Sequence, residues 1–243
     1  GTNGKGSTLS LIKSSLEASD KKVHAYISPH LVKFHERITL AGKLISDVDL
    51  CNYLTTCEKY NCNEDITFFE ITTCAAFLAY SQTKADYTLL EVGLGGRLDA
   101  TNTIESPQLC VITPISIDHE HFLGNTLQEI SHEKAGILKK NVTAIVGKQD
   151  KRALKIIRNK ASEIGAVLQV YGEDWFIKEI DGKLIFNNMY GKFTFPAPNL
   201  RGKHQIENAG MAISALQHLK IGEKEISVGL RNVNWPARLQ LLK

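Results

Sequence analysis

Short apolar runs alternate with amphipathic stretches along most of the chain. Runs rich in Val, Ile and Leu predict strands over 22–27, 87–92, 109–114 and 142–147. Apolar residues at helical spacing predict helices over 9–18, 47–59, 69–84, 126–139, 151–165, 203–220 and 223–232. Continuously apolar strands that alternate with helices indicate a mostly parallel sheet covered on both faces, and so the α/β class.

The rhythm changes between 167 and 198, where short β-type runs are separated by turn residues. The turns are Gly172, Asp181-Gly182 and Tyr190-Gly191. This pattern predicts a small antiparallel meander appended to the main sheet.

A Gly-rich segment, GTNGKGST at positions 1–8, stands directly before the first predicted helix. Small residues let backbone N–H groups approach phosphate oxygens, and the helix amino end adds partial positive charge. The candidate phosphate contacts are Thr2, Asn3, Gly4, Lys5, Gly6, Ser7 and Thr8. Because Gly6 separates the lysine from the hydroxyls, the segment departs from the commonest phosphate-loop pattern, and a plain Gly-rich turn that caps a helix stays open.

Composition narrows the classes of partner. The net charge of +3 comes from 29 basic and 26 acidic residues without long runs of one sign, so neither a nucleic acid nor a membrane surface is indicated. The five cysteines, at 51, 57, 62, 74 and 110, are odd in number and lack paired spacing, which argues against disulfides and zinc. This cysteine pattern fits a reducing cytosol, so we expect a cytoplasmic protein. No apolar stretch approaches the roughly 18 residues of a membrane span, so we also expect a soluble one.

Eight further segments carry a family resemblance. They are YISPHL (26–31), HERI (35–38), TFFEITTCAA (67–76), EVGLGGRLDATN (91–102), DHEHFLG (118–124), HEKAGI (132–137), GKHQIENA (202–209) and WPARLQ (235–240). With the phosphate loop, they resemble the folylpolyglutamate synthase and dihydrofolate synthase family, relatives of the Mur peptide ligases. The resemblance implies a P-loop three-layer core, with 1–243 forming a Mur-ligase-type central ATP-binding domain. It also implies a chain cut short at both ends, with the C-terminal ligase domain absent.

The implied reaction is the ATP-dependent joining of L-glutamate to a pteroate or folate carboxylate through an acyl phosphate. The implied partners are small molecules (ATP, dihydropteroate or reduced folate, and glutamate), and the implied state is a monomer. Arg97 in GGRLDATN resembles bacterial bifunctional members, which favours both synthase activities. A Mur-type or cyanophycin-type ligase, and a nucleotide-binding fragment without turnover, remain as alternatives.

The resemblance also implies the metal and catalytic residues. Ser28 and Glu91 would hold one Mg²⁺, His119 a second, and Lys134 would be carbamylated, with Lys5, His119 and Lys134 catalytic. From the residues alone, Glu91 at a strand end suits a hard cation but is equally a solvated carboxylate. The residues alone would equally place Ser28 in an ordinary turn. They would make His119 a hydrogen-bonded histidine without a metal, and Lys134 a lysine on the surface.

Substrate contacts follow from the same resemblance. For the pterin, the implied residues are Thr67, Phe68, Phe69, Glu70, Leu98, Asp99 and Ala100. Aromatic rings can stack on a pterin and carboxylates can accept from its amino groups, although a pair of Phe residues at a helix start is also typical of a core. Asn208 and Arg238 would contact ATP, or else lie as polar groups on a helix surface. His30 and Arg37 belong to a loop that is expected to close near the substrate.

Overall fold

The computed structural model describes residues 3–118 and 120–236, without the side chains of 120 and 121. Its helices are α1 (Lys5–Ala18), α2 (Asp47–Asn61), α3 (Phe68–Gln82), α4 (Glu120–Leu123), α5 (Leu127–Ala135), α6 (Lys151–Ile164), α7 (His204–His218) and α8 (Glu223–Asn232). Its strands are β1 (Val23–Tyr26), β2 (Ile38–Leu40), β3 (Lys43–Leu44), β4 (Tyr87–Leu90), β5 (Leu109–Ile112), β6 (Thr143–Val146), β7 (Val167–Val170), β8 (Trp175–Ile180), β9 (Lys183–Asn188) and β10 (Gly191–Pro196). A 3₁₀ turn covers Phe34–Arg37. No described helix is both long and apolar enough to cross a membrane.

Two groups of strands carry the parallel pairing that the sequence predicts. In one group, β1 pairs in parallel with β4, and the antiparallel strands β2 and β3 extend its other edge. In the other group, β5, β6 and β7 are all parallel. The α/β class is therefore confirmed, and the short strands β2 and β3 are additions that the apolar pattern did not reveal.

Helices cover both faces of these strands. Along β5, Cys110 and Ile112 pack with the core residues of α5 and α6, whereas Val111 packs with those of α1 and α7. Because successive side chains of a strand point to opposite faces, this division places one helical layer on each side. Tyr26 and Ile38 pack with α2 and α3 in a third cluster. The predicted three-layer core is confirmed.

The predicted meander over 167–198 needs a correction at its start. β7 lies parallel to β6, with Val167 opposite Thr143, so it belongs to the main sheet. Only β8, β9 and β10 form the antiparallel meander. Its first turn is at Asp181-Gly182 as predicted, whereas the second is at Met189-Tyr190, one residue before the predicted position, because Gly191 already pairs with Asn188. A four-residue apolar run in the sequence does not show which sheet the strand joins. The pairing of β7 with β6 assigns it to the main sheet.

Two element boundaries also differ from the prediction. α1 begins at Lys5 rather than at 9, so the last four residues of the Gly-rich segment are already helical. α5 ends at Ala135 rather than at 139, and the backbone continues in turns in which the Leu138 N–H bonds to the Ala135 carbonyl (3.1 Å). The phosphate loop therefore has its lysine in the first helical turn.

Candidate nucleotide and metal site

The amino end of α1 has the features of an anion site. Gly4 caps the helix with a φ of 85°, a left-handed conformation that favours glycine, and no acidic residue stands in the first turn. The first N–H groups of a helix lack partners within it and attract anions. Asn3 is held in front of the helix by a bond from its N–H to the Pro114 carbonyl (3.3 Å). Thr2 lies outside the described residues.

A buried polar chain joins α7 to this loop. Asn208 Nδ2 donates to Gln205 Oε1 (2.9 Å), and Gln205 Nε2 donates to Ser7 Oγ (3.4 Å). Gln205 and Asn208 are both buried, so the interpretation of Asn208 as a helix-surface polar group is wrong. A Cβ built on Gly4 would lie 2.3 Å from Asn208 Oδ1, which shows how closely the loop and helix pack. Arg238 lies outside the described residues.

Glu91 lies at the carboxyl end of β4, beside the segment that contains Ser28. Its N–H donates to the Tyr26 carbonyl (2.9 Å), continuing the pairing of β1 with β4. One carboxylate oxygen, Oε2, accepts from the Ser28 N–H (3.2 Å). Glu91 is buried, so a solvated strand end does not describe it. The structure thus brings Ser28 and Glu91 together, whereas His119 lies outside the described residues.

A divalent cation is compatible with this end of the sheet. The described residues contain no group of three or more His, Cys, Asp or Glu side chains that could hold a metal. However, the buried Thr8 Oγ1 has no hydrogen-bond partner among the described residues, and Thr8 lines the same cavity as Glu91. A hydroxyl and a carboxylate are the oxygen ligands that Mg²⁺ prefers, so the residues fit this ion.

Lys134 is buried on α5, against the Gly-rich turn that follows β4. Arg97 fixes this turn to the helix, since its N–H donates to the Glu133 carbonyl (2.9 Å) and its guanidinium to Glu133 Oε1 (3.0 Å). A Cβ on Gly96 would lie 2.8 Å from that carbonyl oxygen and 3.2 Å from the Cα of Lys134. The default interpretation of Lys134 as a surface lysine is therefore wrong.

Burial, followed by the positive charge of Lys5, lowers the pKa of Lys134 to about 8, while Asp118 acts in the opposite direction. At pH 7 roughly one amine in ten is then neutral, compared with about one in a few thousand for an ordinary lysine. A neutral amine is a nucleophile. The lowered pKa therefore increases the nucleophilic fraction of the Lys134 amine.

Lys5, Thr8, Glu91 and Lys134 line one cavity of about 760 Å³, which we call the central cavity. It lies between β4 and β5, and its functional side chains come from the phosphate loop, the carboxyl end of β4 and α5. Open α/β sheets bind ligands at the carboxyl ends of their strands. Two lysines that influence one another make this end suitable for an anion.

The predicted pterin contacts divide into exposed and structural residues. Thr67 caps α3, and its Oγ1 and Glu70 exchange hydrogen bonds in a capping box that lowers the pKa of Glu70. Phe69 is half-buried and lies 5.9 Å from the Tyr26 ring. Phe68 is 65% exposed and contacts Phe34 edge-on at 5.5 Å. Only Phe68 presents most of its ring to solvent.

The second segment predicted to contact the pterin, at 98–100, also contains both exposed and structural residues. Asp99 is buried, and its carboxylate accepts from the Leu94 N–H (2.8 Å) and from the N–H and hydroxyl of Thr101 (3.0 and 2.5 Å). It therefore shapes the turn. Leu98 is 79% exposed beside it, and Ala100 is half-buried. Both segments predicted to contact the pterin combine a structural polar residue with an exposed apolar one.

In the loop over 28–37, Arg37 Nε donates to His30 Nδ1 (2.9 Å), and the guanidinium lies over the Phe34 ring at 5.2 Å. Sequence reasoning did not single out Ser116, which accepts from Asn3 Nδ2 (3.3 Å), or Asp118. Asp118 precedes His119 in DHEHFLG, so the motif contained a signal for it. The Asn3–Ser116 contact joins distant segments and had no local signal.

The loop, the layered sheet and the central cavity define a P-loop nucleotide-binding domain. A family model for the Mur ligase middle domain matches residues 1–216. The chain therefore belongs to the Mur ligase family.

Individual relatives agree with this assignment. Dihydrofolate synthetase of Saccharomyces cerevisiae is 36% identical over 98% of this chain and 58% of its own length. The structure of E. coli FolC in complex with DHPP and ADP is 34% identical, with a TM-score of 0.93 over 100% of this chain and 58% of that chain. A bifunctional folylpolyglutamate synthase/dihydrofolate synthase was solved with Mn, AMPPNP and L-glutamate bound. It is 31% identical, with a TM-score of 0.91 over 100% of this chain and 58% of that chain. The resemblance to this group is confirmed, and the chain spans 58% of the length of these relatives.

Proposed function

We propose that the 243 residues form the nucleotide-binding unit of an ATP-dependent ligase that joins L-glutamate to the carboxylate of dihydropteroate or a reduced folate. The observation that carries the proposal is the convergence of Lys5, Glu91 and Lys134 on the central cavity. The relatives support the choice of substrates, because one was solved with DHPP and ADP and another with L-glutamate.

The reaction consists of two displacements. A carboxylate oxygen of the pteroate attacks the γ-phosphorus of ATP, the bond to the bridging oxygen breaks, and ADP leaves. The glutamate amine then attacks the acyl carbon, phosphate leaves with the bonding electron pair, and the amine proton passes to solvent or a base. Such transfers depend on positioning and charge stabilisation. The α1 N–H groups and Lys5 would bind the phosphates, with Asn208 and Arg238 on the nucleotide side.

Magnesium, when bound, would neutralise phosphate charge. Ser28, Glu91 and the Thr8 hydroxyl are the candidate ligands for one ion, and His119 is the candidate for a second. The place of Glu91 at the carboxyl end of β4, beside Ser28, supports its role, since a carboxylate is an oxygen ligand that Mg²⁺ prefers. The orphaned Thr8 Oγ1 supports the inclusion of Thr8.

Carbamylation of Lys134 is the second part of the proposal. The neutral amine would add to CO₂ and lose a proton, giving a carbamate that carries one negative charge. The lowered pKa of Lys134 supports this step because it increases the neutral fraction. The change would replace the repulsion between Lys134 and Lys5 by an attraction, and it would add oxygen atoms beside the proposed metal ligands.

Phe68 and Leu98 are the proposed apolar contacts for the pterin, since both are largely exposed. Thr67, Phe69, Glu70, Asp99 and Ala100 would then support the two segments. The cytoplasmic location and the monomeric state stay predictions.

The test is ligation by this chain, measured as glutamate-dependent ADP release with dihydropteroate or tetrahydrofolate. MgADP affinity is measured in parallel by calorimetry. We expect Lys134→Ala to abolish release, while the exposed control Lys140→Ala retains it. MgADP binding without any release would favour the nucleotide-binding fragment. Release with a peptidoglycan-type carboxylate, and none with pteroates, would favour the Mur-type ligase.

A further inference from the structure

The segment 113–116, which follows β5, holds the backbone ahead of the phosphate site. The Pro114 carbonyl accepts from the Asn3 N–H (3.3 Å), and Ser116 Oγ accepts from Asn3 Nδ2 (3.3 Å). Asn3 stands two residues before Lys5, the first residue of α1. The position of the 113–116 segment therefore influences the geometry of the loop that would bind phosphate.

A side chain from the end of the neighbouring strand fixes this segment. Gln149, three residues beyond β6, accepts from the Ile115 N–H at Oε1 (3.0 Å) and donates from Nε2 to the Thr113 carbonyl (3.1 Å). Just before it, the Gly147 N–H bonds to the Ile112 carbonyl (2.9 Å). A carboxamide can donate and accept at the same time, as a peptide unit does. Gln149 thus continues with its side chain the bonding that the backbones of β5 and β6 begin.

The surroundings of these two bonds make them important. Thr113 and Ile115 are buried, and Gln149 is half-buried. A buried backbone N–H or carbonyl that loses its partner is costly, and water has little access to replace it. Without the carboxamide, the 113–116 segment would have to shift to satisfy its backbone groups, and the contacts with Asn3 would shift with it.

The residues on either side of Gln149 have other partners. Lys148 is exposed and pairs with Glu207 (3.7 Å). Asp150 is exposed, caps α6 and pairs with Arg152 (3.0 Å). Of these three consecutive residues, Gln149 is the one that bonds to the 113–116 segment.

We propose that Gln149 is a positioning residue of the nucleotide site. Its carboxamide holds the 113–116 segment, and this segment holds Asn3 and thereby the amino end of α1 in the geometry that binds phosphate. Gln149 acts through Pro114 and not through a contact with the nucleotide. The inference rests on the proposed function only in taking the amino end of α1 as the nucleotide site, and it does not require ligation.

The test measures MgADP affinity by calorimetry for two variants, each as a ratio to the unaltered chain at the same pH. Gln149→Met keeps the length of the side chain but removes both hydrogen bonds. Gln149→Glu keeps the acceptor for the Ile115 N–H, and it regains the donor only when its carboxyl group is protonated. Because the carboxylate would face the Thr113 carbonyl oxygen, we expect its pKa to be raised.

We expect both variants to bind MgADP roughly tenfold more weakly than the unaltered chain at about pH 8. At about pH 5, Gln149→Glu should recover to within about threefold, whereas Gln149→Met should not. Gln128→Glu is the matched control, because Gln128 is exposed and lines a small cavity with Ile115 and Ser116. It adds the same charge near the segment and should leave the affinity unchanged at both pH values. Urea denaturation verifies that each variant is folded under both conditions.

Either of two results would overturn the proposal while the unaltered chain binds MgADP. One is an unchanged affinity in Gln149→Met, and the other is an equal loss at both pH values in Gln149→Glu, which would make side-chain shape rather than the donor responsible. The proposed ligation would survive both results. The expected recovery without any ligation would support the role of Gln149 and contradict the ligase. An unaltered chain that does not bind MgADP would overturn both.

Discussion

Asn208 packs against Gly4 so closely that a Cβ atom on Gly4 would lie 2.3 Å from the Asn208 Oδ1 atom. Gly4 has a φ of 85°, so the loop requires glycine there for its conformation and for space. Asn208 in turn bonds to Gln205, which reaches Ser7. The position of the phosphate loop thus depends on α7, which begins about two hundred residues later in the sequence.

We predict that Gly4→Ala weakens MgADP binding by at least roughly tenfold, since the loop would move away from Asn208. Gly172→Ala is the matched control, because Gly172 has a φ of 86° and nothing lies within 4 Å of a Cβ built there. Both changes strain the backbone by about 1 kcal/mol. Calorimetric titration checks the prediction, and equal losses of affinity in the two variants would contradict it.

Lys134→Met is predicted to stabilise the fold at pH 7 while it abolishes ligation. The folded-state pKa, about 8, is below the unfolded value of 10.5, so the unfolded chain binds this proton more tightly. The charged lysine therefore costs stability below pH 8, and this cost disappears as the pH rises towards 10.5. We expect Lys134→Met to raise the free energy of unfolding by about 1–3 kcal/mol at pH 7 and by almost nothing near pH 10.5.

Urea denaturation in CO₂-free buffer measures this difference, with Lys140→Met as the exposed control. A gain that is the same at both pH values would show that methionine packing, rather than the lysine charge, is responsible.

Glu91→Gln is predicted to reduce the gain in ADP affinity that Mg²⁺ provides. Glutamine keeps the size and an oxygen acceptor for the Ser28 N–H but removes the charge. Asp99→Asn is the comparison, because Asp99 is also buried but holds Leu94 and Thr101. We expect Asp99→Asn to lose about 1–3 kcal/mol of stability and to keep the magnesium effect. Titrations with and without EDTA separate the two, and an unchanged magnesium effect in Glu91→Gln would remove Glu91 from the metal site.

The sequence predicted those parts of the fold that depend on local periodicity. The helices over 47–59 and 151–165 and the strand over 109–114 appear within a few residues of their expected bounds. It failed where the outcome depends on partners distant in sequence. β7 has the apolar character of a meander strand but pairs with β6, and no local signal distinguishes the two.

The site shows the same division. Gly4 and Lys5 belong to the phosphate loop, and Glu91 precedes a Gly-rich turn, so the sequence alone suggested their chemistry. The structure places Lys5 and Glu91 on one cavity. The burial of Lys134 and Asn208 was not readable, because helix position alone makes both look like surface groups. Their environment comes from Gly96 and Gly4, whose lack of a side chain allows close packing against other segments.

Phe68 and Phe69 are adjacent in sequence but are predicted to respond oppositely to truncation. Phe69 lies beside Tyr26, and a Cβ on Gly93 would be 2.5 Å from its ring, so Phe69→Ala should cost about 2–3 kcal/mol of stability. Phe68 is 65% exposed, so Phe68→Ala should cost less than about 1 kcal/mol yet raise the KM for the pteroate several-fold. Urea denaturation and steady-state kinetics measure the two effects. A pteroate KM that Phe68→Ala leaves unchanged would exclude this ring from the substrate site and leave Leu98 as its exposed apolar candidate.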